Sequence, residues 1–114
     1  MASNLTSIAL FGGLKTLAKS ATATTGRITL TGPEGYFSLQ VTLTGSGTGK
    51  FEVLYSNDDV TYVTPTGVSD VVTALTVGTD IYQIDNGLYK FMKIKVTETG
   101  GVNPITFLAT LCVQ

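Results

Sequence analysis

Residues 36–44, Tyr-Phe-Ser-Leu-Gln-Val-Thr-Leu-Thr, alternate strictly between apolar and polar positions. Phe37, Leu39, Val41 and Leu43 point one way, and Tyr36, Ser38, Gln40, Thr42 and Thr44 the other. A period of two is the signature of a strand with one face on a core. The pattern recurs along the chain. Phe51, Val53 and Tyr55 alternate with Lys50, Glu52 and Leu54, and Met92, Ile94 and Val96 with Lys93, Lys95 and Thr97. In the last run Ile105, Phe107, Ala109, Leu111 and Val113 share a face. Shorter runs cover 27–31, 60–63, 68–77 and 80–85. Between the runs lie turn-forming clusters: Gly32-Pro33-Glu34-Gly35, Gly45-Ser46-Gly47-Thr48-Gly49, Ser56-Asn57-Asp58-Asp59, Thr64-Pro65-Thr66-Gly67, Asn86-Gly87 and Gly100-Gly101. About eight short strands with turn signals at this spacing predict an all-β chain, a single antiparallel β-sandwich of jelly-roll type. A closed barrel is the other arrangement that fits.

The 114 residues suit one domain. The expected core is Phe37, Leu39, Val41, Phe51, Val53, Ile94, Val96 and Phe107, each contributing roughly 1.5–3 kcal/mol on burial. Lys50–Val63 reads as a hairpin at the centre of the fold, turning at Ser56–Asp59. The preceding strand, joined to it by the glycine-rich loop, is its expected antiparallel neighbour.

Residues 1–25 differ from residues 26–114, which form the expected sandwich domain. Ile8–Phe11 fits a short strand, while Leu10, Leu14 and Leu17 fit a helical stripe broken by Gly12-Gly13. The segment reads either as an arm lying along a neighbour or as a first strand of the same sandwich. As an arm, its docking residues are Leu5, Ile8, Leu10, Phe11, Leu14 and Leu17. The last strand is apolar on both faces, because Leu108 and Cys112 stand among Thr106, Thr110 and Gln114. Such a strand is central or pressed against a partner, so Leu108 and Cys112 are candidate interface residues.

Only 13% of residues are charged and 43% are hydrophobic. The surface is therefore covered mainly by Thr, Ser, Gly and Asn, which suits a chain packed against neighbours. The net charge is −1, without the basic patch that tracks nucleic acid. Lys90, Lys93 and Lys95 cluster, as a solvated face does. With no His, the usual general base, a Ser-His-Asp arrangement and most zinc sites are excluded. Gly45–Lys50 lacks the spacing and the helix of a phosphate loop. Asp58 and Asp59 read as turn formers; oxygen ligands in a turn suit calcium, but they match no EF-hand loop. No catalytic residue, cofactor or metal is expected, and the chain reads as no enzyme. The single Cys112 excludes an intrachain disulfide. No apolar run approaches the length needed to span a bilayer. Lys15 and Lys19 follow the first apolar patch instead of preceding it, so no cleaved leader is expected. Tyr36, Tyr62 and Tyr89 suit cross-strand packing, a protein interface or stacking on sugar rings.

Glu52–Tyr62, Glu-Val-Leu-Tyr-Ser-Asn-Asp-Asp-Val-Thr-Tyr, is similar to a hairpin of discoidin-like and carbohydrate-binding sandwiches. Small structural proteins of tailed bacteriophages carry it too. The departures are Asp59, where Gly is common, and Tyr62, where Trp is common. Together with 36–44, Phe91–Gly100 and the terminal strand, roughly residues 35–114 resemble small phage virion proteins. The resemblance implies a capsid decoration (cement) protein binding the outer capsid surface, assembled in the host cytoplasm as a symmetric oligomer. Its implied partners are the major capsid protein or another virion protein. A tail or fibre-associated domain and a carbohydrate-binding module are the alternatives.

Overall fold

The computed structural model describes residues 6–30, 37–84 and 89–113. Leu5, Tyr36, the Gly32–Gly35 turn and Asn86-Gly87 lie outside them. Ten strands are described: β1 (Thr6–Ala9), β2 (Lys15–Leu17), β3 (Thr22–Thr24), β4 (Ile28–Thr29), β5 (Phe37–Gly45), β6 (Gly49–Ser56), β7 (Val72–Leu75), β8 (Gly78–Ile84), β9 (Phe91–Glu98) and β10 (Ile105–Val113).

They form two antiparallel sheets packed face to face. One runs β1-β10-β5-β8, with β2 also on β10; the other runs β3-β9-β6-β7, with β4 also on β9. β1 pairs with residues 110–113 of β10 and β2 with residues 105–107, so the two are one interrupted edge strand. β3 and β4 lie end to end along β9 in the same way. Counting each interrupted strand once leaves eight. Their order is first-eighth-third-sixth in one sheet and second-seventh-fourth-fifth in the other, which is the jelly roll.

Both interruptions have a chemical cause. Between β1 and β2 a short 3₁₀ turn, Leu10–Gly12, and the Gly13 that ends it carry three successive residues with positive φ: Phe11 at 58°, Gly12 at 73° and Gly13 at 115°. Glycine adopts these angles without a Cβ penalty. The bulge sets Leu10 into the core and Phe11 edge-on to Phe107, with ring centroids 5.3 Å apart. Between β3 and β4, buried Thr25 continues the ladder. Its N–H donates to the Ile94 carbonyl at 2.9 Å, and its Oγ1 accepts from the Ile94 N–H at 3.0 Å.

The core lies between β5 and β10 on one side and β6 and β9 on the other. All eight expected core residues are buried there, joined by Leu43, Met92, Ile105, Ala109 and Leu111. Phe107 meets Phe51 across the interior in a T-shaped contact with centroids 5.6 Å apart.

Three expectations are corrected. Residues 6–24 run along the sheet edges through β1, β2 and β3, so of the two readings of this segment the first strand of the sandwich holds and the arm does not. Leu10 and Leu17 are buried in the core and Ile8 and Phe11 pack against it, leaving Leu14 exposed. β5 and β6 are not neighbours; they lie in opposite sheets, because each has a fully apolar face and the two faces bury each other across the interior. The glycine-rich loop makes that crossing. It passes so close under residues 103–105 that a Cβ at Gly47 would stand 2.6 Å from the Asn103 carbonyl oxygen. Finally, residues 60–63 are not a returning strand. One bridge, Tyr55 to Val63, joins them to β6, and residues 57–71 form a loop leading to β7.

Truncation of the central ring, Phe107→Ala, is expected to cost about 3–5 kcal/mol in a denaturant titration. Gly47→Ala is expected to cost about 1–3 kcal/mol, because the backbone it meets has no flexible side chain to move aside.

Candidate functional site

Alternation puts Ser38, Gln40, Thr42 and Thr44 of β5 on the outer face of the first sheet. Register places Thr106, Leu108, Thr110 and Cys112 of β10 beside them, and Thr79, Ile81 and Gln83 of β8 on their other flank. Ser7, Ala9 and Thr16 complete the face at the interrupted edge. Among the described residues no Asp, Glu, Lys or Arg stands on this face. Its hydroxyls pair across strands, as between Thr42 and Thr79 at 2.9 Å and Thr16 and Thr106 at 3.0 Å. Leu108 is 42% exposed and Ile81 61%, both large apolar groups open to solvent. Cys112 is a half-buried free thiol. The two expected interface residues thus share one surface.

The outer face of the second sheet differs. Lys93 and Lys95 on β9 stand beside Glu52 and Lys50 on β6, an ordinary solvated mixture of charge. The tertiary fold therefore segregates charge between the faces, although no single strand announces it.

At one end of the sandwich the Ser56–Thr61 turn is built by side chains. Asp58 Oδ1 accepts from Ser56 Oγ at 2.8 Å and from the N–H groups of Val60 at 2.9 Å and Thr61 at 3.0 Å. Ser56 Oγ accepts in turn from the N–H groups of Asp58 and Asp59. These bonds occupy the backbone donors that a returning strand would need, which is why residues 60–63 leave the ladder. The Thr61 and Val60 donors hold the Asp58 carboxyl down at a pKa of about 2. Asp59 has a φ of 61°, in the left-handed region where the similar hairpins carry Gly. It accepts from the Tyr62 hydroxyl and from Arg27, and both bonds lower its pKa. Burial, with the bond to Asp59, pushes the Tyr62 hydroxyl up to about 12. Lys93 sits 4.2 Å over the Tyr62 ring. Tyr62 is thus tied into the loop and does not pair across strands. Tyr89 stacks on Tyr55, with centroids 4.3 Å apart.

Glu98 is the residue that sequence reading missed. It is 1% exposed. Its Oε1 accepts from the N–H groups of Ser20 at 3.0 Å and Gly101 at 2.8 Å. Its Oε2 accepts from those of Thr48 at 2.9 Å and Gly100 at 2.8 Å. One carboxylate thereby joins three loops, and the N–H groups of Thr48, Ser20 and Gly101 bring its pKa down to about 2. The signal was present, because Glu98 continues the inward parity of Met92, Ile94 and Val96. Among the described residues no group of three or more His, Cys, Asp or Glu converges as metal ligands do.

No protein-family model matches the chain, and no curated protein sequence is similar to it. Its fold is shared with solved structures. A chain in a structure of infectious bursal disease virus, Gt strain, superposes with a TM-score of 0.63 at 12% identity. The match covers 96% of this chain and 32% of that one. This protein thus spans about a third of the viral chain. The SPBc2 prophage-derived protein YomS gives a TM-score of 0.54 at 14% identity, covering 100% and 96% of the two chains. A family 29 carbohydrate-binding module gives 0.52 at 13% identity, covering 98% and 77%. These likenesses establish the β-sandwich fold.

Because its folded pKa lies below the ordinary 4.5, Glu98 stabilises the fold above that pH, and the contribution is lost as pH falls toward 2. Glu98→Gln replaces an acceptor with an amide donor facing backbone N–H groups. It is expected to lower the thermal midpoint at pH 7 by several degrees. The gap to wild type should close between pH 4.5 and pH 2 in melts followed by circular dichroism.

Proposed function

We propose that this protein is a non-enzymatic virion structural component of the capsid-decoration type. It seats the outer face of its first sheet on the outer capsid surface, as one unit of a symmetric oligomer. The observation that carries the reading is the charge-free face itself. A sheet face of Thr, Ser and Gln with exposed Leu108 and Ile81 loses little when water is removed from it, because its described residues carry no charge to desolvate. Four strands of about eight residues span roughly 500 Å², so the two partners together bury roughly 1,000 Å², the lower bound for a specific contact.

The jelly roll supports the reading, since this architecture recurs in viral capsid domains. So do the likenesses to a viral chain and a prophage-derived protein. The partner implied is the major capsid protein or another virion protein, and the location is the virion. The residues first expected to dock, Leu10 and Leu17, are core residues here, and docking passes to Leu108, Ile81 and the threonines around them.

Capsid shells stripped of the protein and re-incubated with variants test this. Thr42→Lys and Leu108→Lys point outward and are expected to keep the wild-type thermal midpoint while occupancy falls about tenfold or more. Lys95→Thr on the opposite face is expected to bind as wild type. Full occupancy by the two charged variants would overturn the proposal.

A further inference from the structure

A cleft of about 320 Å³ opens beside the Ser56–Thr61 turn, at the opposite end of β6 from the glycine-rich crossing. Its apolar walls are the stacked Tyr55–Tyr89 pair, Val63 and Pro65. Its polar side is Asn57 and Asp58.

The turn presets these polar groups. Asp58 Oδ1 is fully engaged by Ser56, Val60 and Thr61. Among the described residues Oδ2 has no hydrogen-bond partner, so it is the acceptor left for a ligand. Asn57 Oδ1 accepts from the Lys90 N–H at 3.1 Å, which turns the amide so that Nδ2 is the remaining donor. One acceptor and one donor on consecutive residues suit two adjacent hydroxyls, one donating and one accepting. The opposite walls suit a ring with an apolar C–H face. The volume is at the low end for ligand pockets and fits a single ring rather than an extended chain. An anionic ligand would meet the Asp58 carboxylate.

We propose that this cleft binds one neutral sugar residue, stacked on Tyr89, the half-buried ring that itself lies on buried Tyr55, and hydrogen-bonded through Asp58 Oδ2 and Asn57 Nδ2. The site is separate from the charge-free face, and neither proposal depends on the other.

The full-length chain is screened on an array of neutral oligosaccharides, and positives are titrated by NMR. Asn57→Asp keeps the acceptor for Lys90 and removes the donor, and Tyr89→Ala removes the stacking ring. Binding of at least one neutral glycan is expected, weakened about tenfold or more by either variant, with Asn57→Asp melting as wild type. If Tyr89→Ala does not fold, Asn57→Asp decides alone. Absence of any bound glycan overturns the proposal, as does wild-type affinity in Asn57→Asp. So does a cleft whose resonances move with tetramethylammonium and not with sugars. Capsid occupancy of Asn57→Asp, read separately, is expected to stay at the wild-type level.

Discussion

Two pairs of long strands face each other: β5 and β10 against β6 and β9. Every inward position along their central stretches is filled by a side chain with almost no exposure, from Leu39 and Val41 to Phe51, Ile94 and Phe107. Each strand alone has one apolar face, and such a face is stable only against another. This facing arrangement decides the topology. It places β5 and β6 in different sheets despite the short loop between them. It also makes that loop a tight crossing, which Gly47 permits because it has no Cβ.

A core of this kind leaves its ends and edges to be closed by polar chemistry. Three side chains do so by substituting for backbone partners. Thr25 carries the ladder across a break in the edge, Asp58 gathers the turn at one end, and Glu98 gathers three loops. The Glu98 carboxylate is enclosed yet ionised, because four N–H dipoles replace the water it loses. Among the described residues no buried side-chain polar atom lacks a partner. The loops are thus specified by a few acids and hydroxyls rather than by apolar contacts.

The same division separates the two candidate surfaces. The charge-free face belongs to the regular part of one sheet, where outward positions are filled by small hydroxyl and amide residues. The Tyr55–Tyr89 cleft belongs to a loop, where a turn held by its own side chains presents polar groups beside aromatic ones. A rigid face suits lattice packing, and a loop-built cleft suits a small ligand.

What the sequence determined by itself was local: which residues alternate, which clusters turn, and hence an all-β sandwich with a named core. Those features depend on a period of two and on turn chemistry, both written in neighbouring residues. The same period of two sets Leu108 and Cys112 on the outward face of the last strand. What only the tertiary structure decided was pairing between distant segments. Alternation does not say which strand lies beside which, so the crossing between sheets and the loss of the Lys50–Val63 hairpin were not legible. For residues 6–24 the sequence left two readings, arm and first strand, and only pairing with β10 and β9 chose the strand. The charge-free face exists only because register sets β1, β2, β5, β8 and β10 side by side. Glu98 carried a legible parity, but its role needed three loops from distant parts of the chain to meet at one carboxylate.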